Sequence, residues 1–191
     1  MVELSARRAR TQAALLARAL ELFEAQGYEQ TTAAEIAAAV GVSEMTFFRH
    51  FPSKAELLLD DPYDADLIRA VAARPVGEDP LSRTVNGLRS AWARVPEPAV
   101  EIVRRRARIV AGTPSLRAAV ARNNLRTEDA LVGQLVADGC DELRARAAAS
   151  AVLGALTAAL LWWAAEETAD LSRALEQALS VFDPDTPPVS R

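Results

Sequence analysis

A short stretch concentrates the side chains that could do chemistry. Glu44, Met45, Thr46, Phe48 and Arg49 lie outside the apolar stripe formed by Phe47 and Phe51, and His50 and Lys54 follow. An acceptor, apolar groups, a hydroxyl and cations in one place suit the reading of base edges and the gripping of phosphates. The flanking residues predict the elements that hold them. Thr32 caps a helix over Ala33–Val40, with Ile36, Ala37 and Val40 turned inward. Gly41 supplies a left-handed helix stop, Val42 plugs the turn, Ser43 caps a second helix and Pro52 ends it. Ala37, four residues before Gly41, leaves room for close helix approach. Two short helices about such a turn form a helix-turn-helix, whose second helix enters the DNA major groove. A solvated helical hairpin is the plainer alternative.

Residues Arg8 to Leu59 resemble the DNA-binding domain of TetR-family transcriptional regulators. The resemblance runs through ALELFEAQGYEQTT and, most diagnostically, EIAAAVGVSEMTFFRHFPSKAELL. One departure stands out: Phe48 replaces a family Tyr whose hydroxyl bonds a phosphate, so one backbone contact is lost. On this resemblance double-stranded DNA is the partner, bound at a pseudo-palindromic site. Glu44, Met45 and Thr46 carry base discrimination, while Thr32, Phe48, His50 and Lys54 position the backbone, with Arg49 beside them.

Composition adds restraint. The 191 residues carry a formal charge of −4, from 22 basic and 26 acidic side chains. Residues 1–60 hold six Lys/Arg against eight Asp/Glu, a net of −2, so positive charge must act by placement. Arg7, Arg8 and Arg10 read as an N-terminal arm, either solvated or reaching a phosphate or minor groove. Cys140 is the only cysteine, which excludes an internal disulfide. No spacing suggests zinc, a metal site or a bound cofactor, and no signal peptide is evident, which points to the cytoplasm. Ala147–Ala165 is uncharged and nearly long enough to span a bilayer, but its Ala, Ser150, Gly154 and Thr157 predict a packed interior helix and no membrane.

The remainder reads as all-α, with helices near 64–74, 80–95, 98–111, 115–138, 141–166 and 169–182. The expected organisation is a helix-turn-helix domain over 1–60, a helical ligand-binding and dimerisation domain over 61–183, and a disordered tail over 184–191. On helix 141–166, Ala147, Ser150, Gly154 and Ala158 share a face of small residues, opposed by Val152, Leu153, Leu156, Leu160 and Trp163. Leu171, Leu175, Ala178 and Phe182 form a stripe on the last helix. In the TetR family the last two long helices pair subunits, so Ser150, Gly154, Ala158, Leu171, Leu175 and Phe182 are expected at a homodimer interface. The alternative is that both stripes serve the subunit's own core.

The middle helices are expected to hold a small-molecule effector. Arg106 falls in the apolar face set by Ile102, Val103, Ala107, Ile109 and Val110, where it must meet an internal acid or a bound anion. Trp92, Asn124 and Thr127 also sit on apolar stripes, and with Arg106 make a candidate ligand site. This half loosely resembles the mycofactocin-type TetR regulators, which implies an acyl-coenzyme A-like effector. Function then narrows to a ligand-responsive dimeric repressor, with an all-helical protein-interaction module that never meets DNA as the alternative. An enzyme is disfavoured: His50, the sole histidine, lies in the recognition helix, Cys140 has no visible base, and no catalytic residue is assigned.

Overall fold

The computed structural model describes residues 2–60 and 63–183, all helical or connecting, with no strand among them. Asp61, Pro62 and the tail expected to be disordered lie outside the described residues. The helices are α1 (Val2–Gln26), α2 (Ala33–Val40), α3 (Glu44–His50), α4 (Lys54–Leu59), α5 (Asp64–Ala72), α6 (Pro80–Trp92), α7 (Glu97–Ala111), α8 (Arg117–Ala137), α9 (Glu142–Ala165) and α10 (Leu171–Leu179). They agree closely with the periodicity, because Pro and Gly punctuation and capping side chains act locally.

The chain divides into two compact units, Met1–Asp60 with Gly112–Val120, and Asp61–Ala111 with Ala121–Arg191. This division differs from the expected 1–60 and 61–183 spans at Gly112–Val120. Gly112–Val120 groups with the first unit, where Leu116 is buried and the Ser115 hydroxyl bonds the Glu29 carboxylate.

In the first unit α1 packs on α2 and α2 on α3, burying Leu15, Leu20, Phe23, Ile36 and Phe47. The Thr32 hydroxyl accepts the Glu35 amide while the Glu35 carboxylate accepts the Thr32 amide, a reciprocal cap that satisfies two otherwise orphaned donors. Those Thr32 donors hold the Glu35 carboxyl below its ordinary range. Gly41 adopts φ 76°, and its amide reaches the Ala37 and Ala38 carbonyls. A side chain there would be strained, so the turn requires glycine. The expected N-terminal arm is different: Arg7, Arg8 and Arg10 belong to the continuous helix α1.

In the second unit one apolar cluster joins Leu67, Val71, Val85, Leu88, Leu131, Leu135, Val152 and Leu179. Another joins Val103, Trp163, Leu171 and Leu175, with Trp92 packed against it. The bulky side of α9 thus lies in the core, although the helix is long and apolar enough to cross a membrane by composition. Its other side carries the exposed Ala147, Ser150, Gly154 and Ala158, with Leu143 77% and Trp162 52% exposed nearby.

Candidate nucleic-acid interface

Helix α3 is held by its ends and by one face. The Ser43 hydroxyl accepts the Thr46 amide at 3.2 Å, and Phe51 closes the C-terminus onto the Phe47 carbonyl. Phe47 is fully buried, with Phe48 edge-on to it at 5.3 Å and Phe51 tilted at 6.1 Å. A buried aromatic at the middle of so short a helix sets its rotation, and rotation decides what is shown. The exposed face carries Glu44, Met45, Phe48 and Arg49, with Met45 76% and Phe48 47% exposed.

Thr46, half-buried, has its hydroxyl committed within α3. It lies 3.0 Å from the Ser43 hydroxyl and accepts from Arg49 Nη2 at 3.2 Å. The chain Ser43–Thr46–Arg49 steadies the guanidinium beside the helix. His50 is half-buried, and its Nδ1 is buried without a hydrogen-bond partner among the described residues. Burial, then the charges of Arg8 and Arg49, push the imidazole pKa below its ordinary value. Two cations thus converge on the last turn of α3, one from α1 and one from α3.

Lys54 differs from the expectation of a free ammonium. Its Nζ donates to the carbonyls of Tyr28 at 2.6 Å and Thr31 at 2.9 Å, with that of Glu29 at 3.5 Å, and lies 4.2 Å from the Tyr28 ring centre. An ammonium has three donors, and here they close the turn between α1 and α2. Thr31, fully buried, joins the same turn through the Gly27 carbonyl and Gln26. The first residue of α4 therefore fixes the entry to α2, where Thr32 caps the helix and is exposed.

Among the described residues, those expected to form an effector site each have their own internal setting. Arg106 is buried at 8% exposure as its position in the stripe required, and it is partnered within the protein. The Thr127 hydroxyl bonds the Asp64 carboxylate at 2.9 Å, and the Asn124 amide bonds the Thr157 hydroxyl at 2.9 Å. These polar groups tie α8 to α5 and α9. Trp92 lines two open clefts, of about 230 Å³ with Val100, Arg104 and Trp163, and about 190 Å³ with Leu88, Leu175 and Leu179.

The expected dimer residues divide. Ser150, Gly154 and Ala158 are exposed, and among the described residues nothing beyond the local helix backbone comes within 4 Å of a Cβ built on Gly154. Leu171 and Leu175 are each 3% exposed and pack in an apolar cluster of the subunit's own core. Phe182, half-buried, packs on the other apolar cluster, the one that holds Leu179. An amphipathic stripe shows that a face is covered, not what covers it.

Sequence reasoning missed Arg83 and Gly87. Arg83 is 2% exposed, donating through Nε to the Val71 carbonyl at 3.1 Å and through Nη2 to Asp138 at 2.5 Å. It lies opposite the Leu81, Val85 and Leu88 stripe, so periodicity placed it in solvent; α6 is buried on nearly all sides. Gly87 was silent because a helical glycine looks like a defect until its neighbour is known.

Comparison with known proteins agrees with this geometry. Residues 15–60 match the bacterial regulatory proteins of the tetR family, and residues 78–187 match the MftR C-terminal domain. The chain is 39% identical over 140 residues to the HTH-type transcriptional regulator TcmR of Streptomyces glaucescens, across 69% of this chain and 62% of that one. It thus spans less than two thirds of that relative's length. In fold it resembles SmeT, repressor of the Stenotrophomonas maltophilia multidrug efflux pump SmeDEF, with TM-score 0.55 and 20% identity over 89% of this chain and 87% of that one. It also resembles NalD, the secondary repressor of MexAB-OprM in Pseudomonas aeruginosa, with TM-score 0.53 and 25% identity over 91% and 93%. The chain belongs to the TetR family of transcriptional regulators, with a C-terminal domain of the MftR type.

Proposed function

We propose that this regulator binds a pseudo-palindromic duplex as a homodimer, represses transcription, and is released by a small molecule. The observation that carries the reading is the face of α3: exposed Glu44, Met45, Phe48 and Arg49 on a helix whose rotation Phe47 fixes. Glu44, Met45 and Thr46 are assigned to the bases. Thr32, Arg49 and His50 are assigned to the backbone, with Arg8 nearby, whereas Phe48, expected there, has no donor for a phosphate and stands exposed beside Met45. Lys54 holds the domain together instead of gripping a phosphate. Such a protein acts on the chromosome, in the cytoplasm.

Dimerisation is assigned to the small face of α9, because Ser150, Gly154 and Ala158 are exposed and let a second helix approach closely. The MftR-type C-terminal domain supports a small-molecule effector. An acyl-coenzyme A-like molecule stays the first candidate on family resemblance, but Arg106, Asn124 and Thr127 are engaged internally, so the clefts beside Trp92 are where to seek it. Release requires the effector to prefer an arrangement in which the recognition helices are misplaced.

A mobility shift on duplexes selected from a random library tests the reading, with Arg49→Ala as control. Selective binding that weakens in Arg49→Ala, with a salt slope shallower by about one phosphate, supports it. A chain that enriches no duplex and shifts none has its hairpin doing other work, as a protein-interaction module would.

A further inference from the structure

We infer that the recognition helix identifies its half-site through thymine methyl groups, with Met45 and Phe48 as the specificity-determining side chains. The inference rests on the DNA-binding reading above and deepens it by naming the base chemistry.

Three observations carry it. Met45 and Phe48 are large apolar side chains, 76% and 47% exposed, three residues apart and therefore neighbours on one helix face. The positions between and beside them offer few free donors for base edges. The Thr46 hydroxyl is engaged by Ser43 and Arg49, and Glu44 is acceptor-only when ionised. The rotation is also fixed, since Phe47 is fully buried and Phe48 rests edge-on against it at 5.3 Å. The outward pair cannot turn inward without expelling Phe47 from the core.

In the major groove the thymine C5-methyl is the apolar feature of the standard base pairs, and apolar side chains read it. A guanine-reading helix instead needs a free guanidinium or ammonium aimed at the bases. Here Arg49 lies at the C-terminal end of α3, with one donor on Thr46 and its remaining donors assigned above to the DNA backbone, and the Lys54 ammonium is held by the Tyr28 and Thr31 carbonyls. Glu44 adds an acceptor for an amino group, of cytosine or adenine. The half-site is thus built around thymine, next to a base with an exocyclic amine.

The test uses the full chain and a duplex selected from a random library. Each thymine of the selected site is replaced in turn by deoxyuridine, which removes only the methyl group. Burial of one methyl corresponds to about fourfold in affinity, so replacement in both symmetry-related half-sites should weaken binding about fifteenfold. The salt slope should stay unchanged, because no phosphate contact is lost. Met45→Ala should bind thymine and uracil duplexes alike at one position, and Phe48→Leu should show a reduced difference at another. Equal binding of thymine and uracil duplexes by the unaltered chain overturns the inference while leaving DNA binding intact. A uracil effect undiminished in both variants removes Met45 and Phe48 from it. Failure to enrich any duplex overturns the DNA-binding reading and the inference together.

Discussion

The Lys54 ammonium lies 2.6 Å from the Tyr28 carbonyl oxygen and 4.2 Å from the centre of the same residue's ring. One cation thus satisfies the backbone of the α1–α2 turn and covers its aromatic lid. The turn places Thr31 and Thr32, and through them the start of α2, so the residue acts on the interface by holding its frame.

Lys54→Met should therefore lower stability by about 2 kcal/mol, from lost charge-assisted hydrogen bonds and the cation–π contact. The thermal midpoint should fall by about 4–8 °C for a chain of this size. Titration of DNA binding against salt should give the parental slope. An unaltered midpoint with a slope shallower by one phosphate would return Lys54 to the DNA backbone.

His50 is the only histidine, so its ring signals can be followed alone by NMR. Their midpoint should lie below the ordinary 6.5, because burial, Arg8 and Arg49 all oppose the imidazolium. The sign for stability follows. Below 6.5 the unfolded chain binds the proton first, so stability falls as pH drops from 6.5 to the folded midpoint. Above 6.5 this contribution is complete and flat. Arg8→Gln should raise the midpoint; a parental midpoint at or above 6.5 contradicts the arrangement.

Gly87 sits where α6 crosses α5. A Cβ there would meet Val71 Cγ2 at 2.4 Å and the Val71 backbone at 3.0 Å. Gly87→Ala should destabilise the chain by about 1–3 kcal/mol through overpacking, outweighing about 1 kcal/mol of helix propensity. Denaturant titration reads the loss. Adding Val71→Ala removes Cγ2 and should recover part of it; a stabilised Gly87→Ala variant would mean that the two helices separate freely.

Gly154 gives the opposite case, since among the described residues nothing beyond the local helix backbone lies near its Cβ position. Gly154→Leu should keep the helical content and thermal stability of the subunit while weakening self-association. Sedimentation velocity across concentrations distinguishes the two effects. A Gly154→Leu dimer as tight as the parent would move the interface off this face.

What the sequence determined by itself is the part governed by near neighbours. The caps at Thr32 and Ser43 each act three residues along the chain, and Gly41 stops α2 through its own backbone. Phe47 and Phe51, four apart, are enough to say which side of α3 faces outward. Tertiary structure decided everything that depended on a distant partner. Lys54 meets a turn 23 to 26 residues away, and Arg83 meets Asp138 across 55. The Leu171/Leu175 stripe could cover a second subunit or its own core equally well by spacing, and only the folded chain shows it packed with Trp163 and Val103. Local hydrogen bonds are written in spacing, whereas burial and ion pairing depend on which faces the folded chain brings together.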